Sequence, residues 1–424
     1  METMEIKAQS RDKRLSALLI AMCWAVYAAS YVAKLNYAAN INRVMSYYSV
    51  SHAEAGLVST FFFFAYGIGQ VVNGFFCKKY NIKLTVLFGL IVSTATNILI
   101  ATVDNFDMIK YLWALNGFAL SVLWPCLIRL LSEILPNKYM ARASVIMGTT
   151  TATGTFFIYG MSALLAEIAG FKVIFFIAAG VTVASIVFWL ISYSLIIGRG
   201  AEKTAQSSAN ADTAEAEMPR SCPKMTGAVL TTVILLCFVG VATNFVKDGL
   251  TTWVPSILKE SFGLGDSLSI VLTLSLPVLS IFGNLFAVTL HKRIPNFVYQ
   301  CGAVFFASGI VIGLAMGSFG LDTFLPALIS FAVICFLVGS CNSLITSIFP
   351  LFMKDKLNSG LIAGIINGFC YVGSTLSSWG LGLIADNFGW MGVFILLLAV
   401  SLTVALAALV FGIYGKLKKI KSED

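Results

Sequence analysis

Two lysines stand where lysine is costly. Lys34 lies in the stretch Tyr31-Val-Ala-Lys34-Leu-Asn36 and Lys247 in Asn244-Phe-Val-Lys247-Asp248, each about 20 residues into a long apolar segment. They are 213 positions apart, close to the spacing of the segments that carry them. An ammonium group inside a bilayer must find water or a partner, so two readings are open. In one, each stem runs along its helix and delivers the charge to the membrane boundary. In the other, both lysines face one cavity, where they repel each other and lose hydration, and a divalent anion would relieve both costs. The residues that follow, LNYAANI and DGLTTWVPSIL, are apolar enough for each helix to continue past its lysine, which favours the cavity.

Other chemistry has little material. His52 and His291 are the two histidines, both in short polar connections, and the nine cysteines contain no C-x-x-C pair. The cysteines are expected to be small buried hydrophobes, and neither a metal nor a cofactor is expected. No nucleophile with a base can be assembled, so the chain is not expected to be an enzyme. Carboxylates also keep to the margins: Glu133 and Asp386 end their apolar segments and Asp248 sits beside Lys247. Proton-driven carriers commonly use an embedded carboxylate or histidine. Its absence points to exchange of one anion for another, with a desolvated lysine as the remaining proton site.

The elements that must position these lysines follow from composition. Of 424 residues, 58% are hydrophobic and only 11% charged, against about 25% charged in soluble chains. The bilayer is therefore the solvent. Apolar stretches long enough to cross roughly 30 Å of hydrocarbon begin near Leu15, Gly56, Leu84, Tyr111, Ser144, Val173, Thr226, Leu268, Val298, Thr323, Gly360 and Met391. The expectation is an all-α membrane protein of twelve transmembrane helices in two pseudo-symmetric six-helix bundles, residues 15–199 and 226–415. A basic N-terminus (1–14) precedes them, a polar linker (200–225) joins them and a short tail (416–424) follows.

Of the 28 Lys and Arg, 21 fall on the side of the N-terminus, the linker and the tail, and four on the other. The positive-inside rule then puts both termini in the cytoplasm of a multi-pass cell-membrane protein. The net charge of +8 is thus a topology signal, and with no basic patch interleaved with aromatics no nucleic acid is expected. Two linked six-helix halves are the layout of a secondary transporter with its substrate at the midplane.

The chain resembles the major facilitator superfamily and, within it, the organophosphate:phosphate antiporters. The similarity is carried by Trp24 to Asn36, the AYG of Ala65 to Gly67, WPCLIR ending at Arg129, FVKDGLTTWVPSIL, and GFCYVGS with the closing DNFGW. It implies a phosphate gripped by a basic residue, usually Arg, in helices 1 and 7, which here are Lys34 and Lys247. It implies aromatic cavity positions at Tyr27, Tyr31, Tyr66 and Tyr371. At three further family positions the chain has Gln70 for Lys, Thr153 for His and Asn244 for Tyr, and Lys78 stands where the loop signature has Asp. The neighbouring anion:cation symporters carry carboxylates where this chain has Ala33 and Leu120. The implied activity is alternating-access transport of a small organic anion such as a phosphate ester, by exchange against inorganic phosphate. Proton- or sodium-coupled symport of a sugar acid or sulfonate is the alternative.

Several other residues have two readings. Arg129 and Glu133, spaced i, i+4, form a pair expected at the cytoplasmic gate, and Arg142 could join it. Asn342 and Asn367 lie in apolar spans, as cavity lining or as partners in interhelical hydrogen bonds. Gly67, Gly69 and Gly74 are expected to allow close helix packing. A monomer in the bilayer is expected.

Overall fold

With no water in hydrocarbon, a crossing segment must satisfy its backbone within itself. The computed structural model does this with helices throughout its described residues, 2–76, 79–208, 227–321, 323–352 and 359–420. The first half comprises α1 (Glu2–Ala39), α2 (Ile41–Tyr48), α3 (His52–Phe76), α4 (Ile82–Thr102), α5 (Phe106–Ser121), α6 (Leu123–Ile134), α7 (Asn137–Gly148), α8 (Thr150–Leu165) and α9 (Lys172–Ser208). The second comprises α10 (Gly227–Phe262), α11 (Asp266–Thr273), α12 (Ser275–Arg293), α13 (Phe297–Ser318), α14 (Leu325–Ser343), a π-turn at Leu344–Ile348, α15 (Phe349–Phe352) and α16 (Ser359–Ile420). α9 runs on through Ser208, past the bundle end expected at 199. Residues 209–226, Lys78 and 421–424 lie outside the described residues.

Among the described residues, nine helices are long and apolar enough to cross a membrane, or ten when the bent pair at α11 and α12 counts as one. The twelve expected crossings emerge once two breaks are considered. The 62-residue α16 would extend about 90 Å at 1.5 Å per residue, three membrane thicknesses. Gly389 interrupts it with φ 66° and ψ −178°, a backbone that favours glycine, so α16 supplies two crossings. The fifth crossing is shared by α7 and α8, which meet at Thr149.

Proline makes two of the other breaks. Pro125 has no N–H for the carbonyl four residues earlier, that of Ser121, and α5 ends at Ser121. Pro277 does the same to Thr273, the last residue of α11. Each half packs around aromatics, Phe62, Trp113 and Phe175 in one, Phe305, Phe331 and Phe394 in the other, all buried. Phe88, Phe188, Phe306 and Ile395 stand exposed on the outside, as lipid-facing side chains do. The halves meet chiefly through α3 against α16 and α8 against α11. The seven described cysteines are buried and unbridged, as expected; Cys77 and Cys222 lie outside the described side chains.

Candidate functional site

Between the halves lies a central cavity of about 400 Å³. On α1 its lining is Tyr31, Lys34, Leu35 and Ala38; on α10 a matching set, Asn244, Lys247, Asp248 and Thr251, lines it together with Thr252. Both sets follow the i, i+3, i+4, i+7 stripe that a helix turns to one side. Adding 213 to each number of the first gives the second. The two lysines thus occupy equivalent places in the two halves and line one cavity.

Their surroundings differ. Lys34 Nζ stands over aromatic rings, 4.2 Å from the Tyr66 centroid, 5.5 Å from Tyr31, 5.7 Å from Tyr371, 5.8 Å from Phe62 and 6.0 Å from Phe63. Such contacts each supply about 0.5–2 kcal/mol but no negative charge, and among the described residues no carboxylate pairs with Lys34. Tyr66 and Tyr371 come from opposite halves with centroids 4.9 Å apart, so the cage spans the junction. Gly67 permits this approach: a Cβ there would lie 2.9 Å from Tyr371 Cβ.

Lys247 has a partner. Its Nζ is 3.3 Å from Asp248 Oδ1, with both side chains largely buried. A directed chain of hydrogen bonds ends on the same carboxylate. Asn342 Nδ2 donates to Asn244 Oδ1 at 2.6 Å, Asn244 Nδ2 to Ser374 Oγ at 3.1 Å, and Ser374 Oγ to Asp248 Oδ2 at 2.5 Å. The chain of bonds ends on Asp248, which accepts from Ser374. This corrects the expectation that carboxylates stay at the span margins: Asp248 lines the cavity. Residue spacing could have shown it, since Asp248 is four residues from Asn244 and shares its face.

Of the other expected site residues, Asn367, Asn342 and Tyr371 line the cavity. Tyr66 reaches the site through Lys34. Tyr27 is buried behind it, 5.3 Å from Tyr31 and 4.7 Å from Trp124 by ring centroid. Gln70 is directed elsewhere: its Nε2 donates to the Ser121 carbonyl at 3.0 Å, the group that Pro125 leaves without a helical partner. Thr153 is exposed and bonds back to Thr149, while Thr151 and Thr155, two residues to either side and therefore on the opposite face, line the cavity. Phe62, Phe63 and Tyr159 also line it and were not expected; the buried Tyr159 hydroxyl has no hydrogen-bond partner among the described residues.

Away from the cavity, Arg129 Nε pairs with Glu133 Oε1 at 2.6 Å and Arg129 Nη1 donates to the Tyr80 carbonyl at 3.0 Å. Arg142 is exposed on α7, with no ion pair among the described residues. The histidines are in helices rather than connections, His52 opening α3 and His291 in the last turn of α12. His52 Nε2 is 2.8 Å from Glu260 Oε1 and its Nδ1 is 2.7 Å from Asp386 Oδ1, both on the other half. Asp386 also accepts from the backbone N–H of His52 and Ala53.

Two helical halves of six crossings each, closed over a polar cavity at their junction, define a multi-pass membrane transporter. The chain belongs to the Major Facilitator Superfamily, whose family profile matches residues 15–378. It is similar to a probable hexose phosphate transport protein of Chlamydia pneumoniae, 22% identical with 82% of this chain and 80% of that protein covered. It is also similar to the membrane sensor protein UhpC of Escherichia coli, 23% identical over 96% and 93%, and to sugar phosphate exchanger 3 of Bos taurus, 23% identical over 80% and 76%. Among solved structures, a D-xylose-proton symporter superposes with a TM-score of 0.69 at 11% identity, covering 93% of this chain and 96% of the other, which supports the shared fold. These relatives agree with the resemblance to organophosphate:phosphate antiporters, and the chain is a transporter rather than an enzyme.

Proposed function

We propose that the chain moves a small organic anion, a phosphate ester of a sugar or a similar sugar-derived anion, across the cell membrane by alternating access, in exchange for inorganic phosphate. The carrying observation is the placement of Lys34 and Lys247 at equivalent positions on one cavity. Binding an anion there offsets the cost of holding out of bulk water the ammonium group of Lys34, with which no described carboxylate pairs, and that gain favours closure of the halves around the cargo. The names of relatives, hexose phosphate transport protein and sugar phosphate exchanger, support the substrate class. In this reading the protein acts as a monomer with both termini in the cytoplasm.

The test is uptake of labelled hexose 6-phosphate by proteoliposomes preloaded with phosphate. Exchange requires the internal phosphate and survives collapse of a pH gradient. Uptake that needs no internal anion and stops when the gradient is collapsed contradicts it. That result would favour a second reading, cation-coupled symport of a sugar acid or sulfonate, for which Asp248 supplies a carboxylate on the cavity wall.

A further inference from the structure

The equivalent stripes on α1 and α10 are alike in their lysines and unlike one residue later. Where α10 carries Asp248, the matching position of α1 is Leu35, and both line the cavity. The charged lining residues, among those described, are therefore Lys34, Lys247 and Asp248. Asp248 holds Lys247 at 3.3 Å and itself accepts from Ser374 of α16, behind which Asn244 of α10 and then Asn342 of α14 are bonded in line. Lys34 has the aromatic cage instead, so the cavity carries one uncompensated positive charge, localised on α1. In a site of low effective dielectric an unmatched charge is expensive, and one negative charge balances this cavity where two do not.

We propose that Asp248 determines the charge of the cargo: by neutralising Lys247 it makes the site select a singly charged anion over a doubly charged one, with the anionic group at Lys34. This deepens the anion-transport reading and rests on it. It narrows the cargo to sulfate esters, sulfonates, carboxylates or the singly protonated form of a phosphate ester, and it removes the preference for a divalent anion that two bare lysines would confer.

The experiment is equilibrium binding of two probes to the purified full-length protein at pH 8: hexose 6-sulfate, singly charged, and hexose 6-phosphate, doubly charged because its second ionisation falls at about pH 6. The wild type is expected to bind the sulfate at least tenfold more tightly. In Asp248→Asn the preference shifts at least tenfold toward the phosphate, while Asp248→Glu keeps the wild-type preference. Comparing preferences cancels whatever intrinsic difference the two head groups have. A wild type that favours the phosphate overturns the proposal without any variant. So does an Asp248→Asn protein whose affinities for both probes fall together, which is what a purely structural carboxylate gives. If neither probe binds the wild type, the anion-site reading itself fails, and the proposal with it.

Discussion

The imidazole of His52 is clasped between two carboxylates of the opposite half, with Nδ1 2.7 Å from Asp386 Oδ1 and Nε2 2.8 Å from Glu260 Oε1. Trp390 Nε1 donates to the second oxygen of Glu260 at 2.9 Å. Nearby, Ser256 Oγ bonds Asn42 Oδ1 at 2.5 Å and Ser267 Oγ the Ala163 carbonyl at 2.9 Å, again across the halves. These contacts close the face of the bundle reached by the ends of α1 and α10. His52→Ala is expected to loosen that closure. Spin labels at Glu54 and Asn387, both exposed, should show a larger long-distance population in the variant; an unchanged distribution would assign the closure to the packing of α3 on α16.

A second prediction follows from the pairing of Lys247 with Asp248. Lys247→Ala strands a carboxylate facing Lys34 and is expected to abolish anion binding, whereas adding Asp248→Asn removes the stranded charge and leaves Lys34 to act. The double variant should recover hexose 6-sulfate binding over Lys247→Ala by at least tenfold, about 1.4 kcal/mol, measured by calorimetry. Absence of rescue would mean that Lys247 itself grips the anion.

Glycines at two contacts should separate motion from stability. A Cβ at Gly373 would lie 2.0 Å from the Val241 carbonyl oxygen, within the second half, so Gly373→Ala should cost about 1–3 kcal/mol of overpacking and lower the melting temperature. At Gly56 the atom met is the Ser378 carbonyl oxygen of the other half, at 2.2 Å. Gly56→Ala should keep the melting temperature and instead raise the long-distance population of the same spin-label pair. Equal loss of stability in both variants would refute the distinction.

The sequence made the lysines and the helices legible for the same reason: a charge in an apolar span and a 20-residue apolar run are both local signals. The stripe at 31, 34, 35 and 38 and its copy 213 residues on were also readable, and with them Asp248. What could not be read depends on contacts between distant segments. Gln70 looked like a cavity residue until the Ser121 carbonyl, freed by Pro125, gave its amide a partner. Thr153 carried a family position onto the wrong face of α8, which begins afresh after the break at Thr149. Asn244 and Asn342 line the cavity as expected, but each is committed to the other, a pairing across 98 residues that leaves no local trace. The clasp on His52 joins residues more than 200 positions apart, and in the sequence its histidine looked like part of a polar connection.

The most direct test of the account is the affinity of Lys34→Ala for hexose 6-sulfate and hexose 6-phosphate, measured on folded protein with wild-type melting temperature. Removing one partner of a buried charge contact costs about 2–5 kcal/mol, so both affinities should fall by about thirtyfold or more. Binding of either probe within threefold of wild type would place the anion elsewhere and contradict the account.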